Sequence, residues 1–97
     1  MKLRFTPRAT QDLASIADYI REHNPAAALR VRSAILESLR NLALFPEAGR
    51  RQTLEGVRKL VTRKYPYLVY YTVDPTADEI VVLTIQHPAR EREHEDA

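Results

Sequence analysis

The sequence predicts an α+β domain of order β-α-α-β-β-β, a mostly antiparallel sheet packed on a helical hairpin. Three observations carry that reading. Two amphipathic stretches fill the first half and meet at Asn24-Pro25. The strand-forming runs lie at the start and in the last third of the chain. Asp74-Pro75-Thr76-Ala77-Asp78 is a clear turn between the final two runs. Strands that cluster rather than alternate with helices favour a sheet covered on one face.

Lys2-Leu3-Arg4-Phe5 alternates polar and apolar, so it reads as a short strand with one buried face. Thr6-Pro7 then starts a helix, because Thr6 can accept from the free amides of the first turn and Pro7 suits the first helical position. In that helix, which runs to about His23, Leu13, Ile16, Ala17 and Ile20 share a face. Asp12, Ser15, Asp18 and Arg21 are expected opposite. Asn24-Pro25 closes it and caps a second helix, about Pro25 to Phe45, with Ala28, Val31, Ile35, Leu39 and Leu42 as its core stripe. So short a junction forces an antiparallel hairpin. Tyr19, Leu29 and Leu36 fall off these stripes and are candidates for a groove that takes a partner's amphipathic segment.

Phe45-Pro46-Glu47-Ala48-Gly49 ends the second helix, and residues Arg50 to Gly56 read as a polar loop. Strands are expected at about Val57–Lys64, Tyr67–Val73 and Glu79–His87, the last two forming a hairpin. The unbroken apolar run Ile80-Val81-Val82-Leu83 places the last strand inside the sheet rather than at its edge.

A chain of 97 residues makes one domain, expected over residues 1–90, with a polar tail over 91–97 that lacks apolar side chains. There is no cysteine, which excludes disulfides and thiolate metal sites. No His, Asp or Glu grouping has metal-ligand spacing, and two glycines provide no phosphate-binding loop. No metal or cofactor is therefore expected. No apolar run approaches a membrane span and no signal-type stretch follows Met1, so a cytoplasmic protein without membrane contact is expected.

Net charge is only +2, but from Arg50 to Lys64 six bases (Arg50, Arg51, Arg58, Lys59, Arg63, Lys64) face one acid, Glu55. That segment is +5 and the remainder −3. The cluster leads into Tyr65-Pro66-Tyr67-Leu68-Val69-Tyr70-Tyr71, and the last strand ends in His87-Pro88-Ala89-Arg90. Cation, hydroxyl and imidazole are thus brought to one sheet, as an anionic partner would require. Glu55 is read as a loop residue pairing with Arg51 or Arg58. Arg63 and Lys64, being sequential, are expected on opposite faces of a strand.

The order and spacing of these pieces resemble the ParE/RelE superfamily of bacterial type II toxin–antitoxin toxins. The matching residues are Phe5-Thr6-Pro7-Arg8-Ala9 with Asp12-Leu13, Ile16-Ala17-Asp18-Tyr19-Ile20, Asn24-Pro25 with Ala27, and Leu42 to Pro46 with Gly49. Val57-Arg58-Lys59-Leu60, Tyr67-Leu68-Val69-Tyr70-Tyr71 and His87-Pro88-Ala89-Arg90 complete the set. The resemblance implies a toxin neutralised by a cognate antitoxin that wraps the helical hairpin and sheet, with DNA reached only indirectly through that antitoxin. It also implies two lethal activities: cleavage of messenger RNA in the ribosome, or poisoning of DNA gyrase without cleavage.

Metal-free RNA cleavage needs one group to deprotonate the ribose hydroxyl, one to protonate the leaving oxygen, and fixed cations at the phosphate. The RNA-cutting branch commonly places an arginine where this chain has Tyr67, and a phenol carries no fixed charge. The favoured expectation is therefore a gyrase-binding toxin with Arg58, Arg63, Lys64, Tyr67, His87 and Arg90 as target contacts, and no catalytic residue. A ribosome-dependent nuclease using Arg58, Arg63, Lys64, His87 and Arg90 is the first alternative. A non-toxic antitoxin-binding module that contributes only to operon repression is the second. Tyr19, Leu29 and Leu36 are the expected antitoxin contacts.

Overall fold

The structure, a computed structural model, describes residues 1–88, so Arg90 and the tail over 91–97 lie outside the described residues. Strand β1 (Lys2–Phe5) leads into helices α1 (Pro7–His23) and α2 (Pro25–Leu44), followed by β2 (Arg50–Arg51), β3 (Val57–Val61), β4 (Leu68–Asp74) and β5 (Glu79–Gln86). The sheet order is β1-β5-β4-β3-β2, with β1 parallel to β5 and all other pairs antiparallel. The helical hairpin, the α+β class and the strand hairpin at Asp74–Asp78 are as the sequence predicts.

Both helix starts follow the local chemistry. Thr6 Oγ1 accepts from the Ala9 amide at 3.0 Å, and Asn24 Oδ1 accepts from the Ala27 amide at 3.2 Å. Each cap satisfies an amide that has no partner within its helix. The stripe on α2 is fully realised: Ala28, Val31, Ile35, Leu39 and Leu42 are all buried. On α1 only Ala9 is fully buried, while Leu13, Ile16 and Ile20 pack at the margin of the core. From the sheet, Val69, Tyr71, Ile80, Val82 and Ile85 complete that core.

The spacing of the β5 core residues requires an irregularity. Ile80 and Val82 are two apart, but Val82 and Ile85 are three apart, and a regular strand cannot point both of the latter to one face. A bulge resolves this: Tyr71 pairs with Val82 and Tyr70 with Thr84, leaving Leu83 as the extra residue. The first helix is fastened to that bulge. The Thr6 amide donates to Val82 O and the Thr6 hydroxyl to Leu83 O at 2.7 Å. Asp12 Oδ2 then accepts from Thr84 Oγ1 at 2.6 Å and from the Ile85 amide at 3.0 Å.

Three expectations are corrected here. Asp12 is not on the solvent side of α1. Because β1 ends opposite Val82, the next part of β5 has no strand on that side, and the Asp12 carboxylate takes the place of the missing acceptor. The segment from Arg50 is not all loop, since Arg50 and Arg51 pair with Lys59 and Arg58 as a fifth strand. Strand β3 ends at Val61 rather than Lys64, because the Thr62 side chain turns the chain. Its hydroxyl donates to Tyr65 O at 2.5 Å and accepts from the Tyr67 amide at 2.9 Å.

One buried tyrosine holds the link from α2 to the sheet. The Tyr71 hydroxyl donates to Pro46 O at 2.8 Å and accepts from the Gly49 amide at 2.9 Å. Gly49 approaches so closely that a Cβ there would sit 2.6 Å from that hydroxyl oxygen and 2.9 Å from Lys59 O. Burial pushes the Tyr71 phenol above its ordinary value, only partly offset by the Gly49 amide and the Arg58 charge.

Both anchoring side chains lend themselves to mutation. Asp12→Ala removes a carboxylate acceptor from two donors and is expected to cost about 1.5–3 kcal/mol, with Asp12→Asn less damaging because it retains an acceptor oxygen. Urea titration of the three proteins measures the difference. In the unfolded chain the Tyr71 phenol ionises near pH 10, before the folded one does, so its share of stability is complete below about pH 10 and is lost as pH rises further. Tyr71→Phe should cost about 1–3 kcal/mol at neutral pH by stranding the Gly49 amide, yet lose less on going alkaline, as melts across that range would show.

Candidate functional site

The basic and aromatic residues singled out from the sequence divide between two places. Four of them gather at the end of the sheet where Val61, Leu68 and Gln86 stand in one row. Arg63 and Lys64 occupy the turn from β3 to β4, Tyr67 leads into β4, and His87 follows β5. The Tyr67 and His87 rings meet edge to face with centroids 5.7 Å apart. The bulge in β5 brings this about, since it returns Ile85, and with it His87, to the side that Tyr67 and Val69 share.

The turn is rigidly built. Besides the two Thr62 hydroxyl bonds, the Thr62 amide donates to Tyr67 O at 3.0 Å, and the Arg63 amide reaches Ser38 Oγ on α2 at 3.5 Å. Lys64 has a positive φ of 66°, which its place in the turn imposes. Arg63 and Lys64 are both exposed. The expectation that they lie on opposite faces of a strand does not apply, because neither is in a strand.

Arg58 stands apart from this group. It pairs across the sheet with Tyr71, and its Nη1 donates to Gly49 O at 2.8 Å and to Glu47 O at 3.3 Å. It thus buttresses the same α2–β2 link that Tyr71 holds. Glu55 makes no ion pair with Arg51 or Arg58; the ion pairs among the described residues are Arg4–Glu79 and Arg21–Asp18.

The last turn of α1 adjoins the sheet end. Tyr19 packs on His23 with ring centroids 4.5 Å apart, and the Tyr19 O lies 2.8 Å from His23 Nδ1. Burial raises the Tyr67 phenol above its ordinary value, and the nearby Tyr19 hydroxyl acts in the same direction. Tyr19, a candidate antitoxin contact, therefore lies near Tyr67, a candidate target contact. Tyr19 is 65% and Leu29 71% exposed, as expected for residues off the core stripes. Leu36 instead packs half-buried against the core, which leaves it less surface to offer. Between the helices, Leu13, Ile16, Ala17 and Ile20 face Val31 and Ile35 across a seam too narrow to admit water.

A second cationic site, on the β2–β3 hairpin, is not apparent from the sequence. Across the outer face Arg50 pairs with Lys59, Lys59 with Tyr70, and Tyr70 with Thr84. On the other face Arg51 and Arg58 line an open cleft of about 780 Å³ with Pro46, Glu55 and Pro75. The signal that could have revealed it is the run of bases on both sides of a Gly-containing turn, which suits a hairpin as well as a loop. Among the described residues no three His, Asp or Glu side chains are grouped to hold a metal ion, and no helix is long and apolar enough to cross a membrane.

Comparison with known proteins places this geometry. Residues 3–92 match the family described as ParE toxin of type II toxin–antitoxin system, parDE. Toxin RelE2 of Caulobacter vibrioides is 39% identical over 87 residues, covering 89% of this chain and 93% of that protein. Among solved structures, the chromosomal ParDE toxin–antitoxin system of P. aeruginosa superposes with a TM-score of 0.77 at 30% identity, over 90% of this chain and 95% of that one. The RelBE2 toxin–antitoxin complex of Mycobacterium tuberculosis gives a TM-score of 0.64 at 26% identity, over 89% and 95%.

The Thr62 contacts yield a prediction. Thr62→Val keeps the shape but strands the Tyr67 amide, at a cost of about 1–3 kcal/mol. Hydrogen exchange should accelerate at Tyr67 far more than in α2, where Ile35 and Leu39 are held by the core.

Proposed function

The chain belongs to the ParE/RelE toxin superfamily of type II toxin–antitoxin systems, and from that premise we propose that it acts by binding and poisoning DNA gyrase, without cleaving RNA. The observation that carries this is the composition of the sheet end. Tyr67 occupies the position where a nuclease would need a fixed cation, and its ring is engaged edge-on with His87. Arg58, which a nuclease would aim at the scissile phosphate, directs Nη1 into the Gly49 and Glu47 carbonyls instead. With Arg58 turned away, the cations left at the sheet end are the exposed Arg63 and Lys64, which meet the charge on a cleaving phosphate less well than buried, preorganised donors would. The likeness to the P. aeruginosa ParDE system supports the same reading.

In this reading Arg63, Lys64, Tyr67 and His87 are contacts on the target, and Arg90, outside the described residues, extends them. A cognate antitoxin lies along the helical hairpin over Tyr19 and Leu29. A segment seated on Tyr19 would come near Tyr67, so antitoxin and target would compete for adjoining surface.

The second reading, a ribosome-dependent endoribonuclease, draws support from the exposed imidazole of His87 beside the Arg63–Lys64 turn and from the 39% identity to a relative named RelE2. One experiment separates them. Purified toxin is added to gyrase supercoiling reactions and to a reconstituted translation system, each with and without antitoxin. Inhibited supercoiling that antitoxin reverses, with intact messages, is expected. Codon-specific cuts that disappear in His87→Ala, with supercoiling untouched, would overturn the gyrase reading.

A further inference from the structure

The turn from β3 to β4 holds one residue in a backbone conformation that its type resists. The Tyr65 amide donates to Arg63 O at 2.7 Å, so the chain reverses over three residues with Lys64 at the centre. Lys64 has a φ of 66°. A three-residue turn closed by that bond is common at negative φ, whereas the form with positive φ is rare and strained. In the left-handed region the Cβ of an L-residue crowds the following carbonyl oxygen.

Two other described residues take a positive φ, and both suit it. Gly56, at 82°, has no Cβ to crowd, and Asp78, at 56°, is of a type that enters this region readily. Lysine has neither property. The conformation persists because the bonds around it hold both arms of the turn together. The Thr62 hydroxyl donates to Tyr65 O and accepts from the Tyr67 amide, and the Thr62 amide donates to Tyr67 O. Thr62 is itself buried, and Pro66 disfavours a helical backbone at Tyr65. Residues held in such conformations cluster at binding and active sites, where the surroundings fix a side chain in place for a ligand.

We infer that Lys64 is the anchoring cation of the target-binding face, its ammonium seated on a carboxylate of an acidic protein surface. The turn is fixed before the target arrives, so the lysine has little backbone freedom left to lose on binding. The company it keeps favours a protein over a nucleic acid. Beside the exposed Arg63 and Lys64 stand the Tyr67 and His87 rings in edge contact. Protein interfaces are rich in tyrosine and arginine, whereas a phosphate backbone is met by cations in number. This deepens the gyrase reading by naming the contact that holds the target, and it rests on that reading only for which acidic surface is met.

The test uses the whole purified toxin, gyrase free of DNA, and cells in which the toxin is induced without antitoxin. Lys64→Gly and Lys64→Asn relieve the strain and delete the ammonium, while Lys64→Arg keeps both the strain and a cation. The first two are expected to raise Tm by roughly 2–4 °C. Both should nonetheless bind DNA-free gyrase about tenfold or more weakly than wild type, with growth arrest lost in parallel. Lys64→Arg should keep the wild-type Tm and most of the binding. A merely structural turn would gain the stability and leave binding and growth arrest unchanged, which overturns the inference. A Tm that falls in both strain-relieving variants, or binding that appears only when DNA is added, overturns it as well. Growth arrest that Lys64→Gly abolishes, from a toxin that neither binds gyrase nor alters supercoiling, sinks the gyrase reading and spares Lys64. Supercoiling inhibition that Lys64→Gly retains in full does the reverse.

Discussion

The rest of the molecule depends on the seam between α1 and the bulge in β5. A five-stranded sheet whose outer strand β1 is only four residues long leaves half of β5 without a strand on that side. Thr6 and Asp12 fill that gap with side chains, meeting the Leu83 carbonyl, the Thr84 hydroxyl and the Ile85 amide. Those groups would otherwise stand unpaired at the base of a helix, at a cost comparable to several of the weak contacts that hold a domain this small. The same bulge fixes which residues of β5 face the helices. Val82 and Ile85 both enter the core, and two residues further His87 comes round to Tyr67. Core packing and the sheet-end site are therefore consequences of one local irregularity.

That dependence explains what is and is not legible in the sequence. Helix boundaries are legible because their signals are local: Thr6-Pro7 and Asn24-Pro25 state the caps outright, and the α2 stripe obeys its period from Ala28 to Leu42. Asp12 escapes such a reading because periodicity ranks a residue by polarity, whereas its partner lies more than seventy positions away. The extent of β3 is hidden for a related reason. Val61-Thr62-Arg63 has ordinary strand propensity, and only the closure of the Thr62 hydroxyl onto Tyr65 and Tyr67 bends the chain there.

Of the candidate site, the residue types are legible and their grouping is not. Tyr67 and His87 both stand out in the sequence, but their contact needs the bulge, which no local signal announces. Charge alone groups Arg58 with Arg63 and Lys64. Strand pairing puts it opposite Tyr71 instead, where its length and fork suit two carbonyls at the end of α2's link to the sheet. Charge clusters in sequence predict cations on a surface, and strand register decides which of them share one.

The two edges of the sheet show how differently this fold deploys its charge. At β1 the exposed guanidinium of Arg4 is answered by Glu79 on the neighbouring strand at 3.5 Å. At β2 the edge is only two residues long, both arginine, and both face cations across the rung. A short charged strand is enough to discourage pairing with another sheet, and one neutralised charge at β1 already achieves that on the opposite side. The hairpin holds with those rungs because Gly56 at its turn and Gln52 at its stem fasten it, and because the Arg58 guanidinium is drawn toward the Gly49 and Glu47 carbonyls.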